Sequence, residues 1–218
     1  MLQAMLRGSV TSLEVFFLTL LFALPLALPF CAGRMAKNKI LSNILKAFLL
    51  VIRGTPLMLQ LLVVYFGPSL LCLWFNNNFG TDFRVAWPRF FAAIVALIVN
   101  YAAYFAEIYR GGFNSIDKGQ YEAAYSLGFT HSQTLSKIVI PQMFRIVIPP
   151  ISNEVITLIK DTALASTIAL AEMMKVAQGM VNRDGTLVPY VLAAGIYLVF
   201  TFVMTIALGR AEVKYSQY

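Results

Sequence analysis

Long apolar runs separated by short polar segments dominate the chain. Five apolar stretches, at about residues 13–32, 47–75, 87–109, 143–163 and 187–208, each approach the ~20 residues that a helix needs to cross ~30 Å of hydrocarbon. The second stretch is interrupted by Arg53, Pro56 and Pro68, and the fourth contains a Pro-Pro pair at 149–150 that predicts a kink. This pattern predicts an all-α integral membrane protein with about five transmembrane helices.

Composition supports a membrane location. Hydrophobic residues make up 59% of the 218 residues and charged residues 12%, whereas a soluble domain is roughly 45–50% apolar and about 25% charged. The net charge of +7 would suit a nucleic-acid binder, but the basic residues lie between apolar runs and form no single patch. We therefore expect one transmembrane domain over residues 1–218, a lipid bilayer as its surroundings, and no nucleic-acid partner.

The basic residues divide unequally between the two sides of a five-helix arrangement. Basic residues prefer cytoplasmic loops, and one side receives eleven of them against five on the other, with Lys160 inside a span. This predicts an outer N-terminus and a cytoplasmic C-terminus. The first stretch is expected to remain in the mature protein, because its basic cluster follows the apolar run and a cleavable signal peptide has the opposite order.

The third connection, at about residues 110–142, is predicted to be cytoplasmic and to contain two short helices. Ser115 is a candidate cap for the first helix with Asp117 near its positive end, and Gly128 suits a C-terminal residue in the left-handed conformation. Thr130 and Gln133 have the spacing of a capping box. Pro141 is expected to stop or redirect the chain before the fourth span.

Residues in this connection resemble the EAA motif of permeases from ATP-binding-cassette (ABC) importers. Glu122, Ala123 and Ala124 are followed at the motif's spacing by Gly128, and Ile140 replaces the family's usual Leu. Four further segments are similar to the polar amino acid branch (histidine, glutamine and arginine type): RGTPLMLQL (53–61), AAYFAEIYRGGF (102–113), PQMFRIVIPP (141–150) and NEVITLIKDTALAS (153–166). The similarity covers about residues 9–209.

The resemblance implies the type I ABC importer permease fold and a role in importing polar amino acids across a bacterial cell membrane. It implies a cytoplasmic ABC ATPase dimer docked on the EAA loop, a second permease subunit, identical or related, and an extracytoplasmic solute-binding protein. The coupling residues would be Glu122, Ala123, Ala124, Tyr125 and Gly128. We expect no catalytic site and no cofactor on this chain, with ATP and Mg²⁺ on the partner ATPase, since GxxxxGK[ST] does not occur in the sequence.

Polar residues inside the spans are the candidates for a substrate pathway. A charge near the bilayer centre is costly, so it usually faces a cavity or a partner. One helical stripe is predicted from Asn153, Thr157, Lys160 and Asp161; an equal alternative is that Lys160 and a nearby carboxylate neutralise one another. The full candidate set is Asn100, Tyr104, Asn153, Glu154, Thr157, Lys160, Asp161 and Thr162. Glu14, Arg53 and Glu107 lie near span ends, where contact with lipid headgroups is expected.

Other functions have weaker support in the sequence. His131 is the only histidine and has no neighbouring ligand cluster, so no metal site is expected. A membrane hydrolase would need a nucleophile and a base at membrane depth, but His131 lies in the cytoplasmic connection. A secondary transporter or a channel would tolerate the intramembrane charges, but it gives no reason for an EAA loop. Residues 164–186 are expected to form a short outer helix.

Overall fold

The computed structural model describes residues 1–216, and the side chains of residues 1–213. The described chain is built from helices with short connections. In chain order the helices are α1 (Leu2–Arg34), α2 (Lys39–Gly54), α3 (Leu57–Phe79), α4 (Arg89–Asn114), α5 (Lys118–Ser126), α6 (His131–Thr134), α7 (Ile140–Asp161), α8 (Met173–Asp184) and α9 (Val188–Ser216). A π-helical turn (Leu135–Val139) joins α6 to α7, and a 3-10 segment (Thr162–Ile168) follows α7.

Among the described residues, four helices are long and apolar enough to cross a membrane: α1, α3, α4 and α9. Helix α7 has 22 residues, which corresponds to about 33 Å, but its ionisable side chains reduce its mean hydropathy. The all-α membrane architecture predicted from the sequence is confirmed. Helix α7 is continuous through Pro149 and Pro150.

The second apolar stretch is not one helix, which corrects the boundary predicted at 47–75. Helix α2 ends at Gly54, and Thr55 is extended with φ −112° and ψ 146°. Proline disfavours the helical conformation in the residue before it, and Thr55 before Pro56 is extended, so the chain breaks here between α2 and α3. The Gln60 side-chain amide donates to the Ile52 carbonyl at 2.6 Å and to the Thr55 carbonyl at 3.2 Å, which satisfies backbone acceptors left by the break.

Helix α4 lies at the centre of the molecule and contacts α1, α2, α3 and α7. Its buried face is rich in small residues, including Ala92, Ala93, Ala96 and Ala103. Small residues allow helix backbones to approach closely, which is the main source of packing energy between helices in lipid. The apolar surfaces of α3 and α9 are largely exposed in the single chain.

A charged cluster holds three helices together at one end of the bundle. The Glu107 carboxylate on α4 lies 3.2 Å from the Arg34 guanidinium of α1 and 2.6 Å from that of Arg110. The Ser42 hydroxyl of α2 donates to the Arg34 carbonyl at 2.8 Å. Glu107 was expected to contact lipid headgroups; the structure instead shows it 14% exposed, with two arginine partners.

A second polar cluster fixes α8 against α1 and α9, which fits the short outer helix expected in this region. Glu172 is buried and caps α8 by accepting the backbone N–H groups of Met174 and Lys175 at 2.8 and 2.7 Å. Its carboxylate also accepts from the Tyr197 hydroxyl at 3.0 Å and from the Ser12 hydroxyl at 3.4 Å. This carboxylate therefore accepts hydrogen bonds from four donors of the same chain.

Gly112 marks the closest approach of α4 to α7, and it gives a test of the packing. A Cβ at Gly112 would overlap the Val147 side chain and lie 2.9 Å from Met143 Cγ, whereas a Cβ at Gly111 would meet no atom within 4 Å. We expect Gly112→Ala to destabilise the protein by about 1–3 kcal/mol through overpacking. Gly111→Ala should be neutral or stabilising by up to about 1 kcal/mol.

The measurement is the thermal unfolding midpoint of each variant in the same detergent. A lower midpoint for the Gly112 variant alone is the expected result. Equal midpoints for the two variants would contradict the close approach of α4 and α7.

Candidate coupling loop and substrate pathway

Helix α5 begins at an Asp cap. The Asp117 side chain accepts the Gly119 backbone N–H at 2.6 Å, so Asp117 is the N-cap of α5. The cap predicted at Ser115 is wrong, because the Ser115 hydroxyl donates to the Gly111 carbonyl at the end of α4. A carboxylate at this position also complements the positive end of the helix dipole.

A Schellman motif ends α5 and confirms the left-handed conformation predicted for Gly128. Gly128 has φ +79°, a region that glycine enters without the steric penalty of a Cβ. Its N–H donates to the Tyr125 carbonyl at 3.0 Å, and the Phe129 N–H donates to the Ala124 carbonyl at 3.0 Å. These two bonds satisfy carbonyls that the end of α5 would otherwise leave free.

The second loop helix is continuous with α7. The capping box is confirmed, since Gln133 N–H donates to Thr130 Oγ1 and the Thr130 N–H donates to Gln133 Oε1 at 2.9 Å. The prediction that Pro141 stops the chain is wrong. The helix widens into the π-helical turn, in which Ile140 N–H donates to the Leu135 carbonyl. Because this wider turn comes immediately before Pro141, the ring is accommodated without a break.

The predicted coupling residues divide between the surface and the interior of the loop. Glu122, Ala123 and Tyr125 are exposed, and the Tyr125 hydroxyl lies 3.0 Å from His131 Nδ1 on α6. Ala124 is 1% exposed, so its small side chain packs inside the chain and leaves no room for a partner's groove. This corrects the expectation that Ala124 contributes to the docking surface directly.

Exposed apolar groups flank these residues. The Leu127 side chain is 76% exposed at the tip of the elbow between α5 and α6. Tyr121 and Phe129 are partly buried beside it, and this partial burial raises the pKa of the Tyr121 phenol above its usual value. The elbow therefore presents an apolar tip on a rigid, fully capped pair of helices.

The candidate pathway residues of α7 point in different directions. Asn153 and Lys160 are exposed, whereas Glu154, Thr157 and Asp161 are partly buried. Lys160 lines a cavity of about 360 Å³ between α7, α8 and α9, together with Met174, Tyr190 and Tyr197. Thr157 donates its hydroxyl to the Asn153 carbonyl at 2.9 Å. Thr162 is buried, and its hydroxyl donates to the Ile159 carbonyl at 2.7 Å, so it faces the interior rather than the exposed stripe.

Lys160 and Asp161 do not form a pair. No carboxylate within the described chain lies within 4.0 Å of the Lys160 ammonium. Asp161 instead accepts a hydrogen bond from the Tyr101 hydroxyl of α4 at 2.7 Å. The Asp161 carboxylate is therefore bound to α4 and makes no direct ion pair with its neighbour Lys160.

The candidate residues of α4 also have partners on other helices. Asn100 is buried, and its side-chain amide donates to Gln60 Oε1 on α3 at 3.0 Å. The Tyr104 hydroxyl contacts the Arg53 carbonyl at 3.4 Å, and the Arg53 guanidinium lies 5.1 Å from the centre of the Tyr104 ring. Asn100, Tyr101 and Tyr104 of α4 thus contact polar groups of α3, α7 and α2, respectively.

Sequence reasoning missed Gln60 and Tyr101. Tyr101 precedes the candidate Tyr104 by three residues and therefore lies on a neighbouring part of the same helix face, which is the signal that would have indicated it. Gln60 had a weaker signal: it is the single amide in an otherwise apolar run from residue 57 to residue 68.

Comparison with known proteins identifies the family. Residues 17–216 match the family described as the binding-protein-dependent transport system inner membrane component. The chain belongs to this family. It is 37% identical over 214 residues to the L-cystine transport system permease protein TcyB of Bacillus subtilis, covering 97% of this chain and 86% of TcyB. It is 31% identical over 214 residues to the histidine/lysine/arginine/ornithine transport system permease protein HisQ of Salmonella typhimurium, covering 97% of this chain and 92% of HisQ.

A solved structure agrees with this assignment over the full fold. The crystal structure of an amino acid ABC transporter with histidines contains a chain that matches this permease with a TM-score of 0.83 and 31% identity. The match covers 97% of this chain and 94% of the other. The protein is therefore a multi-pass inner-membrane permease subunit of an amino acid ABC importer.

Proposed function

We propose that this permease moves polar amino acids into the cytoplasm, driven by a separate ABC ATPase dimer docked on the loop at residues 110–142. An extracytoplasmic solute-binding protein delivers the substrate, and a second permease subunit, identical or related, completes the pathway. ATP and Mg²⁺ bind to the ATPase subunits, and this chain carries no catalytic site of its own. Residues 1–218 act as one transmembrane domain.

The observation that carries this proposal is the mechanical continuity between the loop and the pathway. The exposed elbow at Leu127 and Gly128 connects α5 to α6, and α6 continues without a break into α7. Helix α7 carries Glu154, Lys160 and Asp161 at its other end. A movement of the docked loop is therefore transmitted along one helix to the charged region as a rigid-body shift.

The topology follows from the side on which the ATPase binds. Because nucleotide is cytoplasmic, the loop at 110–142 faces the cytoplasm, and so does the connection between α1 and α2. The N-terminus then lies outside and the C-terminus inside, in agreement with the excess of basic residues on that side.

The pathway chemistry supports an amino acid substrate. A zwitterion carries both signs of charge, and this region of the permease contains the Lys160 ammonium and the Glu154 and Asp161 carboxylates. Asn100, Asn153 and Thr157 add neutral donors and acceptors nearby. Charged side chains within a span usually face a substrate route or a partner.

The coupling role of the elbow is tested with two variants of Gly128. Gly128→Val places a β-branched side chain at φ +79°, where such residues are strongly disfavoured, so α5 and α6 lose their relative orientation. Gly128→Asn is the matched control, because Asn tolerates this conformation at a helix C-terminus. We expect the Val variant to lose co-purification of the ATPase subunit in mild detergent and substrate-stimulated ATP hydrolysis, and the Asn variant to retain both.

The readouts are mass spectrometry of the retained subunits and ATPase activity with the solute-binding protein present. Equal coupling in the two variants would remove the elbow from the docking site. Transport by the native chain without any ATPase subunit would favour a secondary transporter or a channel.

The pathway assignment is tested with Lys160→Met and Asp161→Asn. Each change removes one charge, and the Asn side chain still offers an acceptor to the Tyr101 hydroxyl, so helix packing is preserved. Loss of a charge-assisted hydrogen bond worth about 1.5–3 kcal/mol predicts that uptake falls by about tenfold or more. Uptake is measured in proteoliposomes, with ATPase co-purification as the control that must stay unchanged; full uptake in both variants would return these residues to a structural role.

A further inference from the structure

Helix α2 presents three different faces. Leu45, Leu49 and Ile52 face the rest of the chain, and Leu49 is buried. A second face exposes the apolar side chains of Ile40, Ile44 and Val51. With 100° between successive residues of a helix, Lys39 and Lys46 lie together on a third face, which also carries the exposed Leu50. Such a division into an apolar and a cationic exposed face is typical of a helix that lies in a membrane interface.

Two links from α2 to α4, one direct and one through Arg34 of α1, indicate that α2 crosses α4 instead of running beside it. Near its start, Ser42 bonds to Arg34, which pairs with Glu107 on α4. Near its end, the Arg53 carbonyl accepts from Tyr104 on α4. Ser42 and Arg53 are about 16 Å apart along a helix, whereas Glu107 and Tyr104 are about 4.5 Å apart along α4, at ~1.5 Å per residue. Because α4 spans the membrane, α2 lies close to the membrane plane.

The depth of this crossing coincides with one edge of the hydrocarbon layer. Helix α4 begins at Arg89, and Glu107 lies about 27 Å further along it. The hydrocarbon core is ~30 Å thick. Helix α2 therefore lies within a few ångströms of the level at which α4 leaves the acyl chains, where headgroups and chain ends meet.

The charge of this segment has one sign only. Five basic residues occur between positions 34 and 53, and no Asp or Glu occurs between Glu14 and Asp82. Arg34 pairs with Glu107, which it shares with Arg110, and the Arg53 guanidinium lies over Tyr104. The ammonium groups of Lys37, Lys39 and Lys46 have no carboxylate within 4.0 Å in the described chain. A free cationic group at the membrane surface attracts anionic headgroups.

We propose that α2 is an interfacial helix that binds anionic phospholipid, with Lys37, Lys39 and Lys46 contacting the headgroups and Ile40, Ile44 and Val51 contacting the acyl chains. The membrane edge concerned is the cytoplasmic one, which rests on the topology proposed above. Lipid binding itself is independent of transport, so it is measured without uptake. The bound lipid would hold the α1–α2–α4 cluster, and with it the cytoplasmic end of α4, at a fixed depth.

The charge requirement is tested by lipid retention on the purified full-length chain. Three proteins are compared: the wild type, the α2 variant Lys39→Gln/Lys46→Gln, and the matched control Lys118→Gln/Lys137→Gln. Each protein is extracted and exchanged into detergent that contains equal amounts of phosphatidylglycerol and phosphatidylcholine. The bound lipid is then quantified by mass spectrometry. We expect the native chain to bind phosphatidylglycerol in preference to phosphatidylcholine. In the α2 variant this preference should fall by a factor of about five for each lysine replaced. The control removes the same charge from the 110–142 loop and should keep the enrichment.

Equal enrichment in the α2 variant and the control, or no enrichment by the native chain, would overturn the proposal. The effect should shrink as salt is raised, because exposed charges are screened within about 10 Å at 0.1 M.

The apolar face is tested with a photo-crosslinking residue in place of Ile44 in phosphatidylglycerol vesicles containing the assembled transporter. A lipid adduct on the permease is the expected product. An adduct to a second permease chain or to an ATPase subunit would mean that protein covers this face, and the proposal would then be wrong. The absence of any lipid adduct would also overturn it.

Discussion

A polar group inside hydrocarbon is costly unless it finds a partner within the protein, because lipid supplies none. This requirement determines which helices of this permease are fixed to one another. Tyr101 and Asp161 join α4 to α7, Asn100 and Gln60 join α4 to α3, and Glu107 joins α4 to α1. Helix α4 takes part in all three contacts, and its alanine-rich face allows the neighbouring backbones to approach closely. The central position of α4 thus results from both packing and polar pairing.

The same contacts separate a fixed part of the molecule from a part suited to transmit movement. Helices α1, α2 and α4 are held by the Arg34–Glu107–Arg110 cluster, and α8 is held by the buried Glu172 carboxylate. Helix α7 is tied to α4 by a hydrogen bond from Tyr101 near its end and by packing against Gly112 near its start, and Gln142 donates to Gln120 of α5. In the proposed mechanism, its continuity with the capped elbow makes it the element along which a force from the loop reaches the charged region.

The sequence predicted the features that depend on local chemistry. Gly128 at a positive φ, the Thr130–Gln133 capping box and the apolar lengths of α1, α4 and α9 all follow from residue type and spacing, and the structure confirms them. The errors lie where a residue has two local options. Ser115 and Asp117 both suit a cap, and the end of α4 takes the serine hydroxyl. Pro141 can end a helix or be accommodated, and a wider turn before it decides the outcome.

Contacts between distant residues were beyond local reasoning for a different reason. Glu107 could be placed near a span end from the sequence, and Arg110 lies three residues further along the same helix, but the partner Arg34 depends on how α1 packs against α4. Ala124 fits a docking surface by size, but burial against the chain's own loop reserves it for internal packing. Helix α2 is a third case in which local reasoning failed, because hydropathy did not show where this helix ends. Its apolar residues extend the hydrophobic run of the second stretch, so hydropathy merges it with α3, whereas its contacts with Arg34 of α1 and Tyr104 of α4 indicate a helix that lies across the bundle. Hydropathy reports that a segment leaves water; only contacts at two depths distinguish crossing the membrane from lying within its surface.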